Sequence, residues 1–378
     1  MDFKPMKKLG FGLMRLPLTD PLDESSVDVE QVCKMVDMFL ERGFTYFDTA
    51  WMYHNFKSEN VVKTALVDRH PRDSFTLATK LHGGYIKTKS DRDKVFNEQL
   101  KKTGVDFFDY YLIHGIEEDL LDIYEQLDCF TWLLDKKKAG LVKHAGFSFH
   151  DTPELLDKIL TDHPQMEFVQ LMINYLDWES EWVQSKACYE VAKEHGKAVT
   201  VMEPVRGGTL ANIPSDVEEM FKKKEPEMSN PSWAIRFAAS LENVMVVLSG
   251  MSNLSQMEDN TSYMEDFKPL TEDERKMCIK AGEMIIGRIV IPCTGCSYCT
   301  PGCPMHIAIP KYFKVFNEET FDDLNNKDWE AEYSEYPELL EGGGGRADDC
   351  VACGQCESIC PQHLPIIENL KKVAGHLV

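Results

Sequence analysis

Phe108-Asp109-Tyr110-Tyr111-Leu112-Ile113-His114-Gly115 is a short apolar run, rich in aromatic and β-branched residues and closed by a glycine, which reads as a buried strand. Three runs of the same kind precede it, at Leu9–Leu16, Phe44–Ala50 and Ser74–Lys80. Four follow it, at Lys143–His150, Phe168–Tyr175, Ala198–Pro204 and Val244–Met251. Most successive runs begin about 25–45 residues apart, the size of a βα unit. Helical patterns lie between them. Val32, Met35, Val36, Phe39 and Leu40 form one apolar stripe at helical spacing. Gly43 ends that helix, and Gly196 ends a later one. Eight strands alternating with helices predict an α/β chain whose first part is a closed (β/α)8, or TIM, barrel. The competing fold is an open doubly wound sheet, which carries a G-x-G-x-x-G turn after its first strand. Here there is only Gly10-Phe11-Gly12. The barrel is expected to span 1–268. Thr271-Glu272-Asp273-Glu274 then reads as a capping box that opens a helix to about Ile286, within a connector 269–292.

The last part of the chain, 293–378, has a different character. Eight of the twelve cysteines fall in two copies of one pattern, Cys293-x2-Cys296-x2-Cys299-x3-Cys303-Pro304 and Cys350-x2-Cys353-x2-Cys356-x3-Cys360-Pro361. Zinc sites use Cys-x-x-Cys pairs with four ligands in all. Two four-cysteine runs, each closed by Cys-Pro, match instead the ligand run of bacterial two-cluster ferredoxins. That resemblance implies two [4Fe-4S] clusters. One would take Cys293, Cys296, Cys299 and Cys360, the other Cys350, Cys353, Cys356 and Cys303, so that the crossing ligands pin a small domain with a thin core. Cys33, Cys129, Cys188 and Cys278 lie in expected helices and read as small buried apolar residues.

Between the two runs lies an acidic insert, 304–349, with Glu318-Glu319, Asp322-Asp323 and Glu330. It reads as a solvated face or as a docking surface for a basic electron-transfer partner. Gly342–Gly345 inside it reads as a flexible turn; it lacks the Gly-Lys-Ser/Thr ending of a phosphate loop. The whole chain has 378 residues and a net charge of −22, which argues against nucleic-acid binding. No stretch approaches the about 20 apolar residues of a membrane helix. The start lacks a signal core, and free thiols fit a reducing compartment, so a cytoplasmic protein is expected.

In a barrel of this kind the C-terminal strand ends form the active site. Asp48 and Tyr53 follow the second run, Lys80 ends the third and His114 the fourth. Phe47-Asp48-Thr49-Ala50-x2-Tyr53, Ala78-Thr79-Lys80 and Leu112-Ile113-His114 resemble the catalytic tetrad of the aldo-keto reductases. Gly146-Phe147-Ser148 resembles that family's G-x-S-N segment, and Gln170 its glutamine on the sixth strand. The resemblance covers about residues 7–265, and the cysteine module is similar to that of a subgroup of the family with a C-terminal 2[4Fe-4S] ferredoxin domain. It implies an oxidoreductase that interconverts a small carbonyl compound and its alcohol with NAD(P)(H), Tyr53 being the general acid/base. Lys80 would lower the Tyr53 pKa, Asp48 would keep Lys80 charged and aimed, and His114 would hydrogen-bond the carbonyl oxygen. Trp51, His54 and His82 are near enough to line the pocket.

The resemblance also assigns cofactor contacts. Ser148 and Gln170 would hold the carboxamide, and Arg206 the pyrophosphate. Gly250 and Gln256 stand where many relatives carry a lysine and an arginine for a 2′-phosphate, and Asn260 completes the set. With both charges gone, strict NADPH dependence is not expected; NADH, dual use or a flavin stay open. Hydride transfer moves two electrons together and a cluster one at a time, so the clusters need their own role. They are structural or redox-sensing, or they pass electrons between a ferredoxin-like carrier and a flavin or substrate radical in the barrel. A redox-responsive binding protein built on a retired barrel is the non-enzymatic reading.

Overall fold

Eight strands pair in parallel, each with the next in sequence, and the last returns to the first. They are β1 (Leu9–Gly12), β2 (Tyr46–Asp48), β3 (Thr76–His82), β4 (Phe108–Ile116), β5 (Val142–Phe149), β6 (Phe168–Met172), β7 (Ala198–Met202) and β8 (Val244–Ser249). Closure is made by Leu9, Gly10 and Phe11 against Val247, Leu248 and Ser249. This computed structural model describes residues 7–20, 23–180, 183–322 and 344–376. Asp323, Glu330, Gly342 and Gly343, and the side chains of Glu318, Glu319 and Asp322, lie outside the described residues.

All eight expected strands form, with shifted ends. β1 stops at Gly12 because Leu13–Arg15 turns into a 3-10 helix. Ser74 belongs to another such turn, Arg72–Ser74, so β3 starts later and runs on to His82. The alternation of a strand decides which residues face inward. Tyr46, Ala78, Tyr110, Leu112, Phe168, Val246 and Leu248 fill the barrel as one buried cluster. Each large side chain there contributes roughly 1.5–3 kcal/mol by leaving water. Two glycines make room for them. A Cβ on Gly10 would stand 2.6 Å from Val246 Cγ1, and one on Gly146 2.5 Å from the Phe168 carbonyl oxygen.

The outward residues meet the helices. The helix Val29–Glu41 buries Val32, Met35, Val36 and Phe39, and the Phe39 ring lies 5.9 Å from Phe11 and 5.3 Å from Phe47. Asp28 caps its start by accepting from the Gln31 N–H at 3.0 Å. Gly43 and Gly196 follow their helices at φ +79° and +66°, the left-handed geometry that glycine adopts without strain.

The chain divides into two compact units, one of Met1–Pro204 with Pro231–Lys276, the other of Val205–Asn230 with Met277–Val378. The helix Glu272–Ile286 opens with the expected box: Glu274 N–H donates to Thr271 Oγ1 at 3.3 Å, and Glu274 Oε2 accepts from Thr271 N–H at 2.8 Å. The second unit contains the helices Ile309–Asp322 and Ile366–His376. Its core gathers Ile291, Ile307, Tyr312, Phe313, Leu364, Leu370 and Val373 around the thiols of Cys299 and Cys356. Of the other four cysteines, Cys129, Cys188 and Cys278 are buried and Cys33 is half-buried. Among the described residues no helix is long and apolar enough to cross a membrane.

Candidate functional site

Strand alternation carries Asp48, Lys80, His114, Ser148 and Gln170 to the inward face, near the C-terminal ends of five consecutive strands. Lys80 is fully buried and Asp48 almost so. The Lys80 ammonium donates to Asp48 Oδ1 and, at 2.8 Å, to the Thr49 carbonyl. It also lies 5.1 Å from the centroid of the Tyr53 ring. The His114 ring meets Tyr53 edge-on at 6.1 Å. Phenol, ammonium, carboxylate and imidazole therefore converge at one rim.

Tyr53 reaches that rim from a strained turn. His54, Asn55 and Phe56 follow it at φ +52°, +51° and +66°, a region unfavourable to residues with a Cβ. Tertiary contacts hold the turn. His54 Nε2 accepts from the Leu16 N–H at 3.3 Å, which leaves Nδ1 as the donor to the Glu24 carbonyl at 2.9 Å. Both ring nitrogens are thus bonded to the backbone. Lys102 Nζ donates to the Phe56 carbonyl at 2.7 Å and stands 4.2 Å from the Trp51 ring centroid.

Burial governs the electrostatics. It raises the Asp48 carboxyl and lowers the Lys80 ammonium, each against the pull of its partner. The Tyr53 phenol is held well above its ordinary value, first by burial and then by the charges of Asp48 and Glu203. The expected lowering by Lys80 is not what this site shows. The ammonium is paired with Asp48, burial dominates at the phenol, and the Asp48 and Glu203 charges add to it. Burial first, and then the Lys80 charge, hold the His114 imidazole well below its ordinary value, so it is neutral. His82 lies 5.4 Å from His114, ring to ring. Burial pushes His82 and His150 down to about 4.

Ser148 and Gln170 are register partners on β5 and β6. Ser148 Oγ accepts from the Gly115 N–H at 2.7 Å and keeps its own proton to donate. Gln170 Nε2 lies 3.6 Å from Met202 Sδ, and its Oε1 is buried with no hydrogen-bond partner among the described residues. An unpaired buried acceptor beside a hydroxyl donor fits a carboxamide. Arg206 falls in the second unit, where its guanidinium donates to the Pro292 carbonyl at 3.3 Å. Gln256 Oε1 accepts from the Ser252 N–H at 2.7 Å. Asn260 donates to Ser249 Oγ at 2.9 Å and accepts from the Tyr263 hydroxyl at 2.6 Å. The Arg15 side chain lies along Gly250, its Cδ 3.1 Å from where a Cβ would stand.

In the second unit, Cys293, Cys296, Cys299 and Cys360 line one small cavity together with Ile309, Phe313 and Leu364. The cysteine of the second run thus stands with three of the first. Among the described residues no three histidine, cysteine or acidic side chains close on a single ion. A [4Fe-4S] cluster asks for a different arrangement, four thiolates spread around a void, and this cavity has it. Of the second run, Cys356 is buried in the unit's core, Cys350 packs against that core as Cys303 of the first run does, and Cys353 is exposed.

Several polar groups at the site were not singled out from the sequence. Glu203 and His150 stand one residue past β7 and β5, where the strand-end rule would have found them. Glu59 and Gln99 come from helices behind β3 and carry no such signal.

The comparisons with known proteins agree with this architecture. Residues 8–283 match the model of the "Aldo/keto reductase family", and residues 292–364 that of a "4Fe-4S dicluster domain". The uncharacterized oxidoreductase YqkF of Bacillus subtilis is 23% identical over 305 residues, 72% of this chain and 91% of that protein. The holo form of aldo-keto reductase AKR11C1 from Bacillus halodurans superposes with a TM-score of 0.58 at 23% identity, over 73% of this chain and 92% of that one. An aldo-keto reductase from Klebsiella pneumoniae in complex with NADPH gives 0.58 at 16% identity, over 75% and 96%. On the family match, which covers the whole barrel, this chain belongs to the aldo/keto reductase family, and a 4Fe-4S dicluster domain follows its barrel.

Proposed function

We propose that the barrel interconverts a small aldehyde or ketone and its alcohol, with Tyr53 as general acid/base. The convergence of Tyr53, Lys80, Asp48 and His114 at one barrel rim carries the reading. A nicotinamide dinucleotide, when bound, supplies or accepts the hydride. Ser148 and Gln170 would hold its carboxamide, donor to acceptor, and so fix which face of the ring is presented. The neutral His114 ring offers an N–H to the carbonyl oxygen and stabilises the negative charge that develops there. Tyr53 stays protonated across the neutral range, so its proton is always available. An alkoxide is a stronger base than a phenolate and takes that proton even from a raised phenol. The Lys80 ammonium then faces a nascent phenolate in a nearly dry pocket, where the attraction is strong. Asp48 holds that ammonium in place throughout.

Arg15 beside Gly250 keeps NADPH as well as NADH within reach of this site. Cys293, Cys296, Cys299 and Cys360 would hold one [4Fe-4S] cluster, and Cys350, Cys353, Cys356 and Cys303 the other. A second reading gives the clusters an electron-transfer role with a ferredoxin-like carrier. The exposure of Cys353, with Val351 and Ile359 open to solvent beside the same run, favours it. The test is oxidation of NADH and NADPH by the anaerobically purified protein across a panel of small aldehydes and ketones, with Tyr53→Phe beside it. We expect the variant to lose turnover by about 10²–10⁴-fold with cluster absorbance intact. Unchanged turnover would remove Tyr53 from the role, and flavin released on denaturation would transfer the redox chemistry away from nicotinamide.

A further inference from the structure

Behind β3 lies a buried polar network that the proposed chemistry does not use. Glu59, on the helix Ser58–Val62, is 1% exposed. Its Oε1 accepts from Thr79 Oγ1 and from Gln99 Nε2, both at 2.8 Å. Gln99 Nε2 also donates to the backbone carbonyl of Lys80 at 3.0 Å, and Gln99 Oε1 accepts from the Tyr111 hydroxyl at 2.6 Å. On the other side, Glu59 Oε2 lies 3.8 Å from Lys102 Nζ. Lys102 is the residue that grips the Phe56 carbonyl at 2.7 Å in the strained turn after Tyr53. One carboxylate thus joins two arms, one ending on the strand of Lys80 and the other on the turn of Tyr53.

Burial raises the Glu59 carboxyl, and its two hydrogen-bond donors and Lys102 pull it back towards the carboxylate. Both groups bonded to Oε1 are donors, and Oε2 has no hydrogen-bond partner among the described residues that could accept a proton from it. The neighbouring cation Lys102 favours the same state. We propose that Glu59 is a positioning residue for the reaction, aligning Lys80 with Tyr53 and placing a second negative charge behind the Lys80 ammonium. The inference rests on the proposed roles of Tyr53 and Lys80. The other titratable or charged groups around this pair are Asp48 from β2, His82 on β3, His114 from β4, Glu203 after β7 and Lys102 from the helix Lys89–Thr103.

The sign of the effect follows from charge. Glu59 stabilises the Lys80 ammonium, so its neutralisation lets Lys80 lose its proton at lower pH, and activity falls earlier as pH rises. In Glu59→Gln the alkaline limb of the kcat profile moves down by about one pH unit, the scale of one charge acting across a partly dry interior. Glu59→Asp keeps the charge and keeps the limb. Lys102→Met has the opposite sign: with that cation gone, Lys80 holds its proton longer and the limb moves up. Lys102 lies at the edge of the network, so this variant tests the inference even where Glu59→Gln fails to fold. Melting temperatures of all variants are measured alongside, because a merely structural role would lower them and leave the limbs in place. Limbs that stay put, or that move with the wrong sign, overturn the inference. If Tyr53→Phe turns over normally, the underlying reading fails instead. If Tyr53→Phe is inactive and the limbs do not move, only Glu59 loses its role.

Discussion

Asp48→Asn tests whether the buried Lys80 charge depends on a single partner. The amide keeps the shape of the carboxyl and removes its charge. Lys80 is fully buried, and its remaining acceptor is the Thr49 carbonyl at 2.8 Å. An ammonium left there without its hydrogen-bonded counter-charge, with only the Glu59 carboxylate behind it, costs about 3–5 kcal/mol. The cost has a ceiling, because the lysine can give up its proton. Against a reference value of about 10.4, deprotonation at about pH 7 costs 3.4 units at about 1.4 kcal/mol each, or about 4.6 kcal/mol. With the folded-state pKa lowered further in the variant, the unfolded chain binds more protons between that lowered value and about 10.4. Stability therefore rises with pH by up to about 1.4 kcal/mol per unit, and the ceiling falls to about 2 kcal/mol near pH 9. Urea unfolding followed by circular dichroism at both pH values gives these differences, with Lys80→Met and the double variant completing the cycle. The expected result is a loss of about 3–4.6 kcal/mol near pH 7 that falls to about 2 kcal/mol or less near pH 9 and is mostly recovered in the double variant. A loss that is equal at both pH values, or below about 1 kcal/mol at neutral pH, would refute the picture of an ion pair closed off from water.

Other expectations concern packing, metal and cofactor. Gly146→Ala places a methyl 2.5 Å from the Phe168 carbonyl oxygen, which cannot swing aside, and should cost about 3 kcal/mol of barrel stability in the same unfolding assay; a cost near zero would show that β5 and β6 can separate. Anaerobic protein should carry about eight irons and eight acid-labile sulfides, and Cys360→Ala should lower the iron content towards about four. Zinc in place of iron on elemental analysis would contradict the cluster reading. Arg15→Ala should weaken NADPH binding, measured by fluorescence quenching, about tenfold or more relative to NADH; an unchanged ratio would mean that Arg15 does not reach the 2′-phosphate.

Much of this molecule is written locally. Each of the eight strands is a self-contained apolar run, and its periodicity needs no partner to be recognised, so their number and order were readable in advance. The cysteine spacing is likewise local, since ligand geometry demands it, and its two copies identified the module. Asp48, Lys80 and His114 could be read because they sit in or at the ends of such strands. Glu59 and Gln99 could not. A carboxylate and an amide on the helices Ser58–Val62 and Lys89–Thr103 look like solvated residues until the barrel closes over them. The role of His54 in holding the turn was hidden for the same reason, because its two backbone partners, Leu16 and Glu24, lie 38 and 30 residues away in sequence.

The sequence by itself determined the barrel, the iron–sulfur module and which polar side chains stand at the strand ends, because these depend on residue type and spacing along the chain. Only the tertiary structure decided the state of those groups. The Tyr53 phenol was expected to be lowered by a nearby lysine, and it is raised. Burial acts on every charge in the pocket, and the Asp48 and Glu203 carboxylates stand close enough to oppose the one ammonium. Desolvation and net field are sums over neighbours brought together by folding, and no short stretch of chain contains them.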